Sequence, residues 1–153
     1  MARHTLAISE LYVGLVEHCR ARNVDLLTFE AEKPVSNGLG GFVTPDAYVV
    51  LAAGQVRDYW WIEVDRATES DAQVRAKLVA YLDLLHRGQL GPDGVLPRVL
   101  VTAPDDRGLE RLDRLLVHLP DPAEDLFSLG LHNEVPGWLV GTVLTPDGVS
   151  GNS

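Results

Sequence analysis

The sequence predicts an α/β fold in which helices flank a mixed β-sheet. Segments with helical periodicity alternate with short β-branched segments, and a tight turn joins two of the β-branched segments. With 153 residues, 46% of them hydrophobic and 23% charged, the chain is long enough to bury its own core. We expect a single domain over residues 1–145, followed by a flexible tail over residues 146–153.

The first two predicted elements are a helix and a strand. Apolar side chains recur every three or four residues from Ile8 to Cys19, which predicts a helix over residues 8–21. Residues 24–30 form a short segment with four apolar positions, which predicts a strand. The glycine-rich segment 34–41 then predicts a loop or turn.

A predicted hairpin follows. Residues 42–53 and 56–65 are rich in β-branched and aromatic residues, and two strands joined by a tight turn pair antiparallel. Trp60 and Trp61 must point to opposite faces of the second strand. We expect one indole in the core, and the other either in the core or at the surface as a platform on which a base could stack.

The second half of the sequence alternates between helices and strands. Ser70 followed by Gln73 has the spacing of a capping box, and the apolar residues after it predict a helix to about residue 86. The remaining predicted elements are a loop over 88–97, a strand over 98–102, a helix over 108–118, and strands over 126–131 and 138–144.

The acidic charge of the chain is unevenly distributed. The net charge is −9, and every Lys and Arg lies at or before Arg114, so the segment after Arg114 supplies −5 of that charge. Tight, nonspecific DNA binding needs a cationic surface, so the composition excludes strong metal-free binding to plain DNA. DNA contact through a metal ion, or through a local basic edge around Arg66, Arg75 and Lys77, stays compatible with this charge.

Several other classes of protein are excluded. No apolar run approaches the roughly 20 residues of a membrane span, and Glu10 and Glu17 interrupt any signal-peptide core. The single cysteine, Cys19, rules out an internal disulfide and a cysteine-rich zinc site, and the five histidines lack metal-ligand spacing. We therefore expect a cytoplasmic protein without membrane contact, while the sequence leaves its oligomeric state open.

Acidic residues gather at one end of the predicted hairpin. Asp46 lies on its first strand, and Glu63 and Asp65 end its second strand two residues apart, on one face. Three such carboxylates could form a compact site for Mg²⁺ or Mn²⁺, completed by water and substrate phosphate. A metal held this way can polarise a phosphodiester and activate a water molecule. The alternative is that these acids are ordinary solvated residues at strand ends.

The element order and this spacing together resemble the PD-(D/E)XK nuclease superfamily. Its restriction-endonuclease-like core runs α-β-β-β-α-β, with Pro-Asp on the second strand and acid-x-Lys on the third. Pro45-Asp46 and Glu63-x-Asp65 hold the corresponding places here, and the resemblance covers about residues 7–103. It implies that Asp46, Glu63 and Asp65 are metal ligands and catalytic residues.

This sequence departs from the nuclease pattern at one position, because Asp65 stands where the superfamily has lysine. Lys77, at the edge of the apolar face of the second predicted helix, could point back at the acids, and Gln73 shares that edge. The alternative for Lys77 is a surface lysine whose stem lies on the sheet. Arg66 is an accessory candidate, or it pairs with one of the acids. A fourth carboxylate could come from Glu30, ahead of Glu32 and Glu17.

A longer set of residues is similar to the replication–relaxation family, bacterial proteins associated with the initiation of plasmid replication. The most specific string is EVDRATES at residues 63–70. The other similar segments are residues 4–30, PDA at 45–47, and KLxxY at 77–81. In that family this region commonly follows a winged-helix DNA-binding segment, and we expect this chain to carry no separate DNA-reading module.

Three functions remain open. The first is a Mg²⁺-dependent nuclease-like enzyme that cuts or nicks DNA through Asp46, Glu63 and Asp65, assisted by Lys77. The second is a non-catalytic domain that binds DNA or another replication protein. The third is a domain whose acidic surface binds a protein partner. Catalysis requires the three carboxylates to converge within metal-bridging distance and Lys77 to point at them.

Overall fold

A mixed five-stranded β-sheet with helices on both faces forms the centre of the molecule. The computed structural model describes residues 3–145, and the side chains of residues 5–145. The predicted α/β class, with a mixed sheet flanked by helices, is confirmed. The predicted tail, residues 146–153, lies outside the described residues.

The described residues form twelve helices and strands. In chain order they are α1 (Arg3–Arg22), β1 (Asp25–Ala31), β2 (Val35–Ser36), β3 (Phe42–Val43), β4 (Ala47–Ala53), β5 (Val56–Val64), α2 (Asp71–His86), β6 (Arg98–Ala103), α3 (Asp106–Val117), α4 (Ala123–Leu126), β7 (Phe127–Leu131) and α5 (Val135–Leu144).

The large sheet has the strand order β1-β4-β5-β6-β7. Its β1–β4 and β4–β5 pairs are antiparallel, and its β5–β6 and β6–β7 pairs are parallel. Ala53 pairs with Val56, so a two-residue turn closes the β4–β5 hairpin as predicted. The parallel pairs need crossover connections, which α2 and α3 provide. The small β2–β3 hairpin is inserted between β1 and β4.

Two hydrophobic cores lie on the two faces of this sheet. Trp60 packs in the core formed with α1 and α5, and Trp61 packs in the core formed with α2 and α3. Successive residues of a strand point to opposite faces, and here helices cover both faces, so β4 and the second half of β5, from Trp60 onward, are buried on both sides. Because Trp60 is 0% and Trp61 1% exposed, neither indole is the surface platform considered above.

The predicted strand at residues 138–144 is wrong, because these residues belong to helix α5. Pro136 lies in the first helical turn, where its missing N–H costs no hydrogen bond. The helix buries Leu139, Val140 and Val143 against α1. Small residues let the two helices approach closely, since a Cβ on Gly14 would lie 2.7 Å from the Pro136 ring. The β-branched composition of the segment concealed this helical packing.

The predicted strand over residues 42–53 is interrupted, and this interruption shapes the site. β3 ends at Val43 and β4 begins at Ala47, with Thr44, Pro45 and Asp46 between them. Proline has no N–H to donate to a ladder, which disfavours a continuous strand here. Asp46 therefore lies at the mouth of the β4–β5 hairpin, and β3 pairs with β2 instead.

Candidate active site

The register of the β4–β5 hairpin brings Asp46 beside Glu63. Ala47 pairs with Ile62, so the residues that precede Ala47 and follow Ile62 are neighbours. The Val64 N–H donates to Asp46 Oδ2 at 2.7 Å, and the Asp46 N–H donates to Glu63 Oε2 at 3.2 Å. These crossed hydrogen bonds fix two carboxyl groups side by side, and we refer to Asp46 and Glu63 as the carboxylate pair.

The carboxylate pair is buried. Asp46 is 6% exposed and Glu63 7%. Burial, followed by the charge of Asp46, raises the pKa of Glu63 to about 7, although Tyr81 and Lys77 act in the opposite direction. Without a cation, the Glu63 carboxyl is therefore partly protonated near neutral pH.

Tyr81 holds Glu63 from helix α2. Its hydroxyl donates to Glu63 Oε2 at 2.6 Å. Burial and the neighbouring Glu63 raise the pKa of Tyr81 well above its usual value, so the hydroxyl stays protonated and remains a donor. The sequence placed Tyr81 on the apolar face of this helix, and its polar role was missed. Its position four residues after Lys77, on the same helix edge, was the available signal.

An open cleft of about 570 Å³ lies over the carboxylate pair. The segment from Phe42 to Thr44 lines it, as do four residues of α2: Ala76, Lys77, Ala80 and Tyr81. Glu32 and Arg66 also line the cleft. The cleft therefore combines two buried carboxylates with two cationic side chains and an apolar wall.

The structure holds Asp65 apart from the carboxylate pair. Strand β5 ends at Val64, so the rule that places residues two apart on one face does not extend to Asp65. The Asp65 side chain is 2% exposed, and its carboxyl lies 3.7 Å from the Arg111 guanidinium. It does not line the cleft. The predicted cluster of three carboxylates is thus reduced to a pair.

The donor set of the cleft suits only some metals. Among residues 5–145, no group of three or more His, Cys, Asp or Glu side chains is placed to hold a metal ion. Structural zinc sites need four protein ligands. Mg²⁺ needs only one or two carboxylates, because water and substrate phosphate complete its coordination. The carboxylate pair fits the second case.

Lys77 has features of both roles considered for it, the cation near the acids and the surface lysine. Its Nζ is 2.8 Å from a carboxylate oxygen of Glu69, and its side chain is 39% exposed. It also lines the cleft, and its charge lowers the pKa of Glu63. Lys77 is therefore near the carboxylate pair, while its ion pair is with Glu69.

The accessory candidates differ in where they lie and what they contact. Gln73 forms the predicted capping box, because its side chain accepts from the Ser70 N–H at 2.8 Å. Glu30 pairs with the exposed Lys33 at 2.9 Å. Arg66 lines the cleft, as does Glu32, which the sequence ranked behind Glu30.

Arg111 of α3 is a key residue that sequence reasoning missed. Its guanidinium contacts the Asp65 carboxyl, pairs with Asp71 at 2.7 Å, and donates to the Glu69 carbonyl. It thereby fixes the loop between β5 and α2, which carries the partner of Lys77. Arg111 is 46 positions after Asp65 in the sequence, and no local sequence pattern predicts a contact between residues so far apart along the chain.

A family model described as replication-relaxation matches residues 1–99. The chain belongs to the replication-relaxation family. The match includes both members of the carboxylate pair, Tyr81 and Lys77, whereas Arg111 lies beyond it. No curated protein and no solved structure matches the chain. Within residues 3–145, no helix is long and apolar enough to cross a membrane.

Removing Arg111 should destabilise the fold through Asp65. We expect Arg111→Ala to lower the free energy of unfolding by about 2–4 kcal/mol, because it leaves a buried carboxylate without its cation. When Asp65 is already replaced by Asn, Arg111→Ala should lower the free energy of unfolding by at least about 1 kcal/mol less than it does in the wild type. Urea denaturation measures both values, with the exposed Arg114→Ala on the same helix as the control. Additive losses from Arg111→Ala and Asp65→Asn would contradict this coupling.

Stability in EDTA should fall as Glu63 ionises. The pKa of Glu63 is raised from 4.5 to about 7 in the fold, so the folded protein binds more protons than the unfolded chain between these values. Raising the pH from 5 to 8 should therefore cost on the order of 1–3 kcal/mol from this group. Glu63→Gln should lose that part of the pH dependence in chemical denaturation. An equal pH slope in both proteins would contradict the assignment.

Proposed function

We propose that this chain is a nuclease-like domain of plasmid replication that cleaves DNA phosphodiester bonds with Mg²⁺ or Mn²⁺. In this proposal Asp46 and Glu63 ligate the metal, and the fold is of the restriction-endonuclease-like type. The observation that carries it is the buried carboxylate pair at the base of an open cleft. Support for the fold type comes from the element order α1, β1, β4, β5, α2, β6.

A divalent cation would relieve an electrostatic cost that the fold imposes. Burial disfavours the charged form of Glu63, and the adjacent Asp46 repels that charge; together they raise the pKa of Glu63 to about 7. Bound there, Mg²⁺ would polarise a phosphodiester and lower the pKa of a coordinated water. It would also attract a DNA phosphate to a protein whose net charge is −9.

The residues of this chain prepare the site for that ion. The Val64 N–H and the Tyr81 hydroxyl each hold one member of the carboxylate pair, so little reorganisation is needed on binding. Lys77 and Arg66 line the same cleft and can contact phosphate oxygens.

A second candidate is a non-catalytic domain that binds DNA or another replication protein. It is favoured by the ion pair between Lys77 and Glu69, because the cation that a nuclease uses beside the attacking water is engaged elsewhere. Asp65, at the superfamily's lysine position, is held by Arg111. In this candidate the cleft binds DNA or another replication protein without cleaving it.

A cytoplasmic location remains a prediction from the sequence for both candidates.

A cleavage assay on supercoiled and branched DNA separates the two candidates. We expect nicked or cut product that needs Mg²⁺ or Mn²⁺ and is lost in EDTA. Asp46→Ala should reduce its rate by about 100-fold or more, as expected for loss of a metal ligand. The exposed Asp113→Ala should leave the rate unchanged, and thermal melting should show that each variant is folded.

Two outcomes would count against cleavage by this site. Product formed equally by the Asp46→Ala variant would come from another source. Absence of metal-dependent product from the wild type, with metal binding intact, would leave the non-catalytic candidate.

A further inference from the structure

An aromatic side chain is exposed in the cleft. Phe42 lines the cleft over the carboxylate pair, yet it is 69% exposed. Both tryptophans of β5 are buried in the cores, and Tyr81, which also lines the cleft, is 1% exposed, so among the cleft-lining residues Phe42 carries the exposed ring. The position of this ring in the cleft, over the carboxylate pair, distinguishes it from other exposed apolar side chains such as Leu39, which lies outside the cleft.

The position of Phe42 is fixed by its hairpin. Asn37 Oδ1 accepts hydrogen bonds from the Leu39 N–H at 2.8 Å and the Gly41 N–H at 3.0 Å, which closes the turn between β2 and β3. The Arg87 guanidinium, just after α2, donates to the Asn37 carbonyl at 3.0 Å. The backbone that carries the ring is therefore held in place before any ligand binds, which reduces the entropic cost of ordering the hairpin on binding.

The rest of the cleft suits a flat ligand that carries phosphate. On α2, Ala76 and Ala80 are one turn apart, and their small side chains keep the cleft open beside Phe42. Arg66 supplies positive charge in the same cleft, which Glu32 and the ion-paired Lys77 also line. Its volume of about 570 Å³ lies in the range of small-ligand pockets. Bases within a duplex are already stacked on their neighbours, so an unpaired base is the one that can present its face to the Phe42 ring.

We propose that Phe42 is a stacking platform for an unpaired base, so that this cleft takes a single-stranded stretch of DNA rather than an intact duplex. This proposal rests on the proposed function, and it names the substrate class of the same site. Base–aromatic stacking tolerates any base, so the cleft should show little sequence preference. The carboxylate pair, with its metal, then meets the adjoining backbone.

The test compares a fluorescent single-stranded oligonucleotide with a blunt-ended duplex that contains the same sequence, both with Ca²⁺ in place of the proposed catalytic ions, since Ca²⁺ also takes carboxylate oxygen ligands. Fluorescence anisotropy gives each Kd, and a gel confirms that the strands stay intact. Phe42→Ala should weaken single-strand binding by about 5- to 100-fold, as expected for one stacked base. Phe42→Trp should bind as the wild type does.

Leu39→Ala is the matched control, because Leu39 is 71% exposed on the same hairpin but does not line the cleft. We expect it to leave the single-strand Kd unchanged. Equal loss in Leu39→Ala and Phe42→Ala, or no loss in Phe42→Ala, would overturn the platform. Duplex binding as tight as single-strand binding would overturn the substrate class and point to duplex DNA instead.

Metal titration of the same variants separates this inference from the proposed function. Mn²⁺ binding that is intact in Phe42→Ala, without the expected loss of single-strand affinity, would overturn the platform alone. Phe42-dependent binding of the single strand, with no metal binding and no cleavage by the wild type, would support the platform and overturn the metal-dependent function.

Discussion

The two hydrogen bonds that cross between the strand ends, from the Val64 N–H to Asp46 and from the Asp46 N–H to Glu63, are the constraint on which the rest of the site depends. They exist because the β4–β5 register is fixed and because Pro45 interrupts the strand one residue before Asp46. Helices on both faces of the sheet leave these carboxyl groups little water. The fold therefore holds two carboxyl groups that repel each other at the open end of the β4–β5 hairpin, beneath an open cleft. A divalent cation bound there would relieve this repulsion.

Charges outside the cleft hold this arrangement in place. Arg111 reaches from α3 to the loop that follows β5, where it contacts Asp65 and the segment that carries Glu69. Glu69 in turn pairs with Lys77, which lines the cleft. Arg111 and Lys77 thus offset the charges of Asp65 and Glu69 within the loop, whereas the charge of the carboxylate pair is of the kind that a divalent metal ion neutralises. DNA contact through such an ion is compatible with an acidic protein.

Local patterns in the sequence predicted the parts of the fold that depend on neighbouring residues. The capping box at Ser70 and the two-residue turn before Val56 are both found, and strand alternation predicted opposite faces for the tryptophans. The carboxylate pair followed from the hairpin alone. Three features were out of reach: strand β5 ends before Asp65, residues 138–144 form a helix packed on α1, and the exposed ring belongs to Phe42. Each depends on packing between distant segments.

Calorimetric titration with Mn²⁺, in two buffers of different ionisation enthalpy, tests the central claim most directly. The account predicts one site that is lost in Asp46→Asn. Because burial and the charge of Asp46 raise the pKa of Glu63 to about 7 without metal, binding near neutral pH should release protons, and the release should decline as the pH rises. Absence of binding by the wild type, or unchanged binding by Asp46→Asn, would contradict the claim that the carboxylate pair is a cation site.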